Sequence, residues 1–210
     1  MTASARAIAQ RVVTSGTFSL DGGTWEVENN VWVYGDGDEV VIIDAAHDPI
    51  AIAHAVGGRP VRAIICTHAH DDHIDAALVL AEEVDAPVWL HPADRELWDR
   101  VHASAPHAEL TDGQQIPVAG STLAVVHTPG HSPGGVCLVG DGVVFSGDTL
   151  FAGGPGATGR SFSDFPTILE SIRERLLSLP PGTVVHPGHG DDTTIGAEAA
   201  SYDAWVARGH

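Results

Sequence analysis

Short runs of consecutive apolar residues alternate along this chain with stretches in which apolar positions recur every three or four residues. The first pattern predicts strands and the second predicts helices. Strands are expected over Thr24–Tyr34, Glu39–Asp44, Val61–Thr67, Pro87–Leu90, Thr122–His127, Gly135–Val139, Val143–Ser146 and Thr183–His186. Helices are expected over Pro49–Val56, Asp72–Glu83, Ala93–His102, Phe165–Leu179 and Thr194–Arg208. In the fourth helix Ile168, Leu169, Ile172, Leu176 and Leu179 share one face, Ser163 or Asp164 offers an N-cap, and Pro180-Pro181-Gly182 ends the run. Strands and helices mixed in this order predict an α/β protein whose helices cover sheet faces. With no repeat and no linker, residues 1–210 read as a single domain. The glycine-rich stretch Phe151–Gly159 lacks a phosphate-binding signature and reads as a flexible loop beside a site.

Composition narrows the partners. The chain has 28 Asp+Glu against 10 Lys+Arg, a formal charge of -18, with 43% apolar and 18% charged residues. Such a surface repels phosphate backbones and anionic headgroups, so no nucleic acid and no membrane partner is expected. Met1 to Gln10 has no apolar core of the kind that drives secretion, and runs such as Val40–Ile43 are too short to cross a bilayer. Cys66 and Cys137 both lie in apolar, strand-like runs and read as buried thiols, which fits a reducing, cytoplasmic compartment.

The chemistry concentrates at four turns. The run Thr67-His68-Ala69-His70-Asp71-Asp72-His73 follows an apolar strand and precedes a helical pattern. His68 and His70 are two apart, so an extended segment points both rings the same way. Asp72 and His73 fall near the helix start, where the turn can bring them to the same pocket. One isolated histidine is ordinarily a surface or core residue, but three imidazoles and a carboxylate in one short run supply metal ligands. Three further turns offer His131 (TPGHSPGG), Asp148 (SGDT) and His189 (HPGHG), each just after a strand, where open α/β sheets place their sites. A glycine precedes each of these three residues and lets the backbone turn sharply.

With THAHDDH, TPGHSPGG, SGDTLFAGG and PGHGDDTTIG in this order, the chain resembles the metallo-β-lactamase superfamily, in particular the short glyoxalase II-like hydrolases, over about residues 24 to 198. The resemblance implies a four-layered αβ/βα sandwich. It also implies two divalent metal ions, zinc first with iron or manganese as alternatives. One would be held by His68, His70 and His131, the other by Asp72, His73 and His189, with Asp148 bridging them. Asp44 stands where the family often has a buried aspartate that orients a ligand histidine. His47, His54, His91, His102, His107 and His210 match no ligand motif and read as surface or structural residues. His127 and His186 lie near the site, as groups that orient ligands or as purely structural ones.

The implied reaction is hydrolysis by a metal-bridging hydroxide, with Asp72 orienting it and Asp148 holding both ions. The family points to a small-molecule thioester as substrate, cleaved as in hydroxyacylglutathione hydrolase. Only 21 residues follow His189, so no separate C-terminal substrate-binding domain is expected. Arg160 and Phe162 lie where substrate could pass, and Arg160 could pair with a carboxylate. Rival readings are a mononuclear-iron persulfide dioxygenase on His68, His131 and Asp148, a β-lactamase, and a non-enzymatic metal-binding protein.

Overall fold

The computed structural model describes residues 7–209, so the expectations for the first six residues and for His210 fall outside the described region. Two six-stranded sheets face one another. The first runs β1 (Ile8–Leu20), β2 (Gly23–Gly35), β3 (Val40–Ile43), β4 (Val61–Ile65), β5 (Val88–Leu90) and β6 (Ala108–Glu109) in that spatial order. The second contains β7 (Gln115–Val118), β8 (Ser121–His127), β9 (Val136–Gly140), β10 (Val143–Gly147), β13 (Val184–Pro187) and β14 (Thr193–Thr194), ordered 14-13-10-9-8-7. Between them in sequence, β11 (Leu150–Phe151) and β12 (Gly154–Pro155) form a small antiparallel pair. Part of the stretch expected to be a flexible loop is therefore a hairpin.

The apolar runs are continuous because these strands are covered on both faces. Along β2 and β3, Val31, Val33, Val40 and Ile42 face an outer core. There they meet Ile52 of helix α1 (Pro49–Val56), and Ala77 and Leu80 from the α2 (Asp71–Ile74) and α3 (Ala77–Val84) region. Their alternates Trp32, Tyr34, Val41 and Ile43 face inward to Leu123, Val125, Leu138 and Phe145 of the second sheet. The short helix α4 (Arg95–Trp98) adds Leu97 and Trp98 to the first outer core. On the far side, Val144 and Val185 pack under α5 (Phe165–Ser171), the π-turn 172–176, α6 (Ile195–Ala199) and α7 (Tyr202–Arg208). Helices, sheet, sheet and helices make the four-layered αβ/βα sandwich.

Every predicted strand and helix is present, with differences at their ends and interiors. The expected helix 72–83 breaks at Asp75 and Ala76 into α2 and α3, and the expected 93–102 helix is a 3-10 turn followed by α4. Asp164 caps α5, accepting from Thr167 N at 2.9 Å. Strand β1 was not expected: its apolar residues are interleaved with Ser, Thr and Gly, because it is a sheet edge with much of its length exposed. No helix among the described residues is long and apolar enough to cross a membrane.

Candidate metal centre

Four strand ends converge on one spot. Sheet one brings His68 and His70 after β4 and Asp72 and His73 on α2; sheet two brings His131 after β8, Asp148 after β10 and His189 after β13. All seven sequence-predicted ligands meet here. His68 Nε2 and His131 Nε2 lie 3.1 and 3.0 Å from His70 Nδ1, forming a first cluster. His73 Nε2 lies 3.2 Å from His189 Nε2, and Asp72 Oδ2 lies 3.3 Å from the same His189 atom, forming a second. Asp148 reaches both, 3.5 Å from His131 Nε2, 3.4 Å from His73 Nε2 and 3.5 Å from His189 Nε2.

The donors suit a divalent cation. Bonds of about 2.0–2.1 Å to one tetrahedral ion put neighbouring ligand atoms only a little over 3 Å apart, the spacing seen here. Asp148 Oδ1 is buried with no hydrogen-bond partner, a position that is costly unless a cation faces it. The outer ring nitrogens of His131, His189 and His73 are anchored, which turns the inner ones toward the clusters, whereas His70 Nε2 is buried without a hydrogen-bond partner. His131 Nδ1 donates to Ala157 O at 2.8 Å and His189 Nδ1 to Glu28 O at 2.6 Å. His73 Nδ1 meets Asp44 Oδ2 at 3.0 Å. Asp44 also accepts from Thr67 N and Thr67 Oγ1, both at 2.7 Å, so it holds the His68 turn and the His73 ring together.

The glycines before the ligands have two separate uses. Gly147 and Gly130 take positive φ, 48° and 133°. Gly188 does not; there a Cβ would overlap Asp148 Oδ1 and the His73 ring, so its role is close approach.

Electrostatics separates the clusters. Burial holds His68 well below the usual histidine range, and burial with a contribution from His131 brings His70 down to about 3. Burial opposes a proton on His73 as well, but Asp72 and Asp148 outweigh it and raise that ring well above its ordinary value. His189 is raised to about 10, burial again being overcome by Asp148 and by hydrogen bonding to Asp148 and Asp72. Asp148 is pulled well below the usual carboxylate range by His189 and His73 against burial. Asp72 falls to about 2, with His73, His189 and Asn29 overcoming the burial cost.

Sequence reasoning missed two buried organisers. Asp94, fully buried, accepts from Ala69 N at 2.9 Å, from Ser132 Oγ at 2.8 Å and from Gly134 N, joining the loop of His68 and His70 to that of His131. Asn29 donates from Nδ2 to Asp72 Oδ2 at 3.0 Å. The signal for Asp94 was only a carboxylate in an apolar helix start, and that for Asn29 a polar pair inside a strand. His47 does not lie free on the surface; its ring bridges Asn29 and Asp75. His127 and His186 touch no ligand: His127 Nε2 meets Pro133 O at 2.9 Å, and His186 lies against Trp32 at 4.3 Å between ring centroids.

Arg160 and Phe162 are also outside the ligand cluster. The Arg160 guanidinium lies 3.9 Å from the Trp25 ring centre; Trp25 stacks on Phe18 at 5.7 Å, and Phe18 meets the His70 ring edge at 5.2 Å. Phe162 lies beneath the Arg100 guanidinium at 4.6 Å, with a positive φ of 72°. A cavity of about 290 Å³ opens beside His70, between the β1–β2 hairpin tip, Leu97 and Arg100.

The sequence profile of the metallo-beta-lactamase superfamily matches residues 24–189. A hydroxyacylglutathione hydrolase of Methylobacillus flagellatus is 34% identical over 166 residues, covering 77% of this chain and 62% of that enzyme. The crystal structure of BLEG-1 B3 metallo-beta-lactamase superposes with a TM-score of 0.78 at 31% identity, covering 92% of this chain and 100% of that one. TTHA1623, solved in a di-iron-bound form, superposes with a TM-score of 0.74 at 36% identity, covering 82% and 93%.

Proposed function

The chain belongs to the metallo-beta-lactamase superfamily, and on that premise we propose that it is a dinuclear metal-dependent hydrolase that cleaves thioesters of a small thiol. One observation carries the dinuclear reading: Asp148 stands within 3.5 Å of ring nitrogens in both three-residue clusters, with its buried Oδ1 lacking a hydrogen bond. His68, His70 and His131 would hold one divalent ion, and Asp72, His73 and His189 the other. Two such ions would supply Lewis acidity toward a carbonyl and acidify water toward neutrality. The mixed nitrogen and oxygen donors suit zinc, iron or manganese, and the similar TTHA1623 was solved in a di-iron-bound form.

The chain's own groups point to direct attack by water rather than by a side chain. Cys66 and Cys137 are fully buried, and burial pushes Cys66 well up and Cys137 to about 11, so neither is an available thiolate. Asp72, held ionised, is an acceptor inside the pocket able to orient the hydrogen of a water there. The aromatic line from Arg160 through Trp25 and Phe18 to His70 forms one wall beside the clusters, with the cavity next to it. In this reading the acyl thiol lies along that wall and a carboxylate of the thiol pairs with Arg160. The helices after His189 bury Ile195 and Trp205 in the outer core of sheet two.

A panel assay tests this. Metal-analysed protein should hydrolyse acylated glutathione or another small-thiol ester, carry two ions per chain and lose activity on Asp148→Ala. Turnover of nitrocefin in place of every thioester would move the assignment to a β-lactamase. One iron per chain, with oxygen consumed on a glutathione persulfide, would move it to a dioxygenase. Two bound ions with none of these activities would leave a metal-binding protein.

A further inference from the structure

We propose that His47, braced by Asp75, is a positioning residue for the second metal cluster, acting through Asn29 on Asp72. The proposal rests on the reading of Asp72, His73 and His189 as metal ligands, and it adds to that reading a hydrogen-bonded chain running outward from the cluster. Asn29 Nδ2 lies 3.0 Å from Asp72 Oδ2, Asn29 Oδ1 lies 3.0 Å from His47 Nε2, and His47 Nδ1 lies 3.1 Å from Asp75 Oδ2.

The direction of each bond follows from what each group can do. An ionised carboxylate only accepts, so Asp72 requires the amide N–H of Asn29 on its side. The Asn29 carbonyl must then face His47, and His47 Nε2 must donate to it. Turning the amide over would set its oxygen against the Asp72 carboxylate inside a fully buried pocket, where Asn29 is 0% exposed. His47 therefore braces Asn29 in the orientation that Asp72 requires. At its other nitrogen the ring meets Asp75, which also accepts from the His47 backbone N at 2.7 Å. Asp75 thus holds His47 through both its backbone and its ring.

Three local features hold this arrangement. His47 adopts a positive φ of 61°, costly for a residue with a Cβ, and its side chain is only 6% exposed. Gly16 of β1 lies so close across the ring that any side chain there would overlap it. Asp75 stands at the break between α2 and α3, where a continuous helix over 72–83 was expected. The break and the unusual backbone both place their residues in the same chain of bonds. Asn29 Nδ2 also lies 3.5 Å from His189 Nε2, so both ligands it touches belong to the second cluster.

Zinc binding to the purified full chain in a zinc buffer, read as affinity and stoichiometry at each site, tests the proposal. His47→Leu should weaken the second zinc about 10–100-fold, the usual effect of losing a group that orients a ligand, and leave the first zinc unchanged. His47→Gln, whose side-chain N–H can reach Asn29, should recover most of the loss. Asp75→Ala, at the exposed end of the chain of bonds, should weaken the second zinc alone and by less. Unchanged second-site affinity in a folded His47→Leu protein, or equal loss at both sites, overturns the proposal. Should that variant fail to fold, unchanged affinity in Asp75→Ala overturns it instead. No substrate enters the measurement, so a protein without thioesterase activity can still pass and an active thioesterase can still fail.

Discussion

The two halves of the metal centre are built from similar residues but by opposite electrostatic means. In the first, His68 and His70 are kept unprotonated by burial, and the loops that carry the ligands are tied together by one buried carboxylate, Asp94. In the second, two carboxylates share the pocket with two imidazoles and draw protons onto them, so His73 and His189 are raised while Asp72 and Asp148 are lowered. The first half is a preformed nest of lone pairs. The second is a salt-bridged cluster in which a cation must replace protons. Shape alone makes the two look equivalent; charge separates them, and each perturbation below should strike them unequally or, where it does not, remove the distinction.

Asp148→Ala is the largest expected effect, because this residue lies within 3.5 Å of ring nitrogens in both halves. Both ions should bind more weakly by more than the ~10–100-fold typical of losing an outer orienting group, and hydrolysis should fall to background. Metal analysis after dialysis against a weak chelator measures it. Loss of only one ion would show that Asp148 serves a single half.

Asp94→Ala should come next and strike the first half. It leaves Ala69 N, Ser132 Oγ and Gly134 N without their acceptor in a fully buried place, a loss of about 2–4 kcal/mol after allowing for relief of the burial of the carboxylate itself. Burial raises the carboxyl of Asp94 above its usual value, so this residue is retained at a cost. Thermal denaturation and the affinity for the first zinc should both drop, while the second zinc holds. Equal weakening at the two sites would mean that Asp94 braces the whole fold rather than one cluster.

These contrasts were unevenly legible in the sequence. The convergence of the seven candidate ligands could be read because each sits in a short motif at the end of an apolar run, and strand ends meet at one edge of such a sandwich. The partners that distinguish the halves could not. Asp94 lies 25 residues from Ala69 and 38 from Ser132, and Asn29 lies 43 from Asp72, so only the folded chain brings donor to acceptor. His47 carried no motif at all, since its meaning comes from Asn29 on one side and Asp75 on the other. Strand β1 escaped notice for a different reason. Val12, Phe18 and Leu20 are apolar with exposed Ser15, Thr17 and Ser19 between them, but buried Thr14 and then Gly16 interrupt the apolar alternation. The four layers were implied by family resemblance; doubly buried runs such as Val40–Ile43 indicate a covered sheet without saying what covers it.

Taken over a single pH unit, the smallest effect is also the most direct reading of charge. A cation competes with protons only at groups whose pKa in the metal-free protein lies above the working pH. At about pH 7, His70, at about 3, carries no proton to displace, and His68 lies well below its ordinary range as well. His189, at about 10, does carry one, and His73 is raised in the same direction. The second zinc should therefore bind more tightly as pH rises toward about 10, by about tenfold per unit for each proton displaced, while the contribution of His68 and His70 to the first site stays flat. Calorimetric titration in buffers of different ionisation enthalpy counts those protons, with one to two expected for the second equivalent of zinc and none from His68 and His70. Equal release at both steps would mean that the carboxylates do not charge the second cluster, and the electrostatic division of the centre would fall with it.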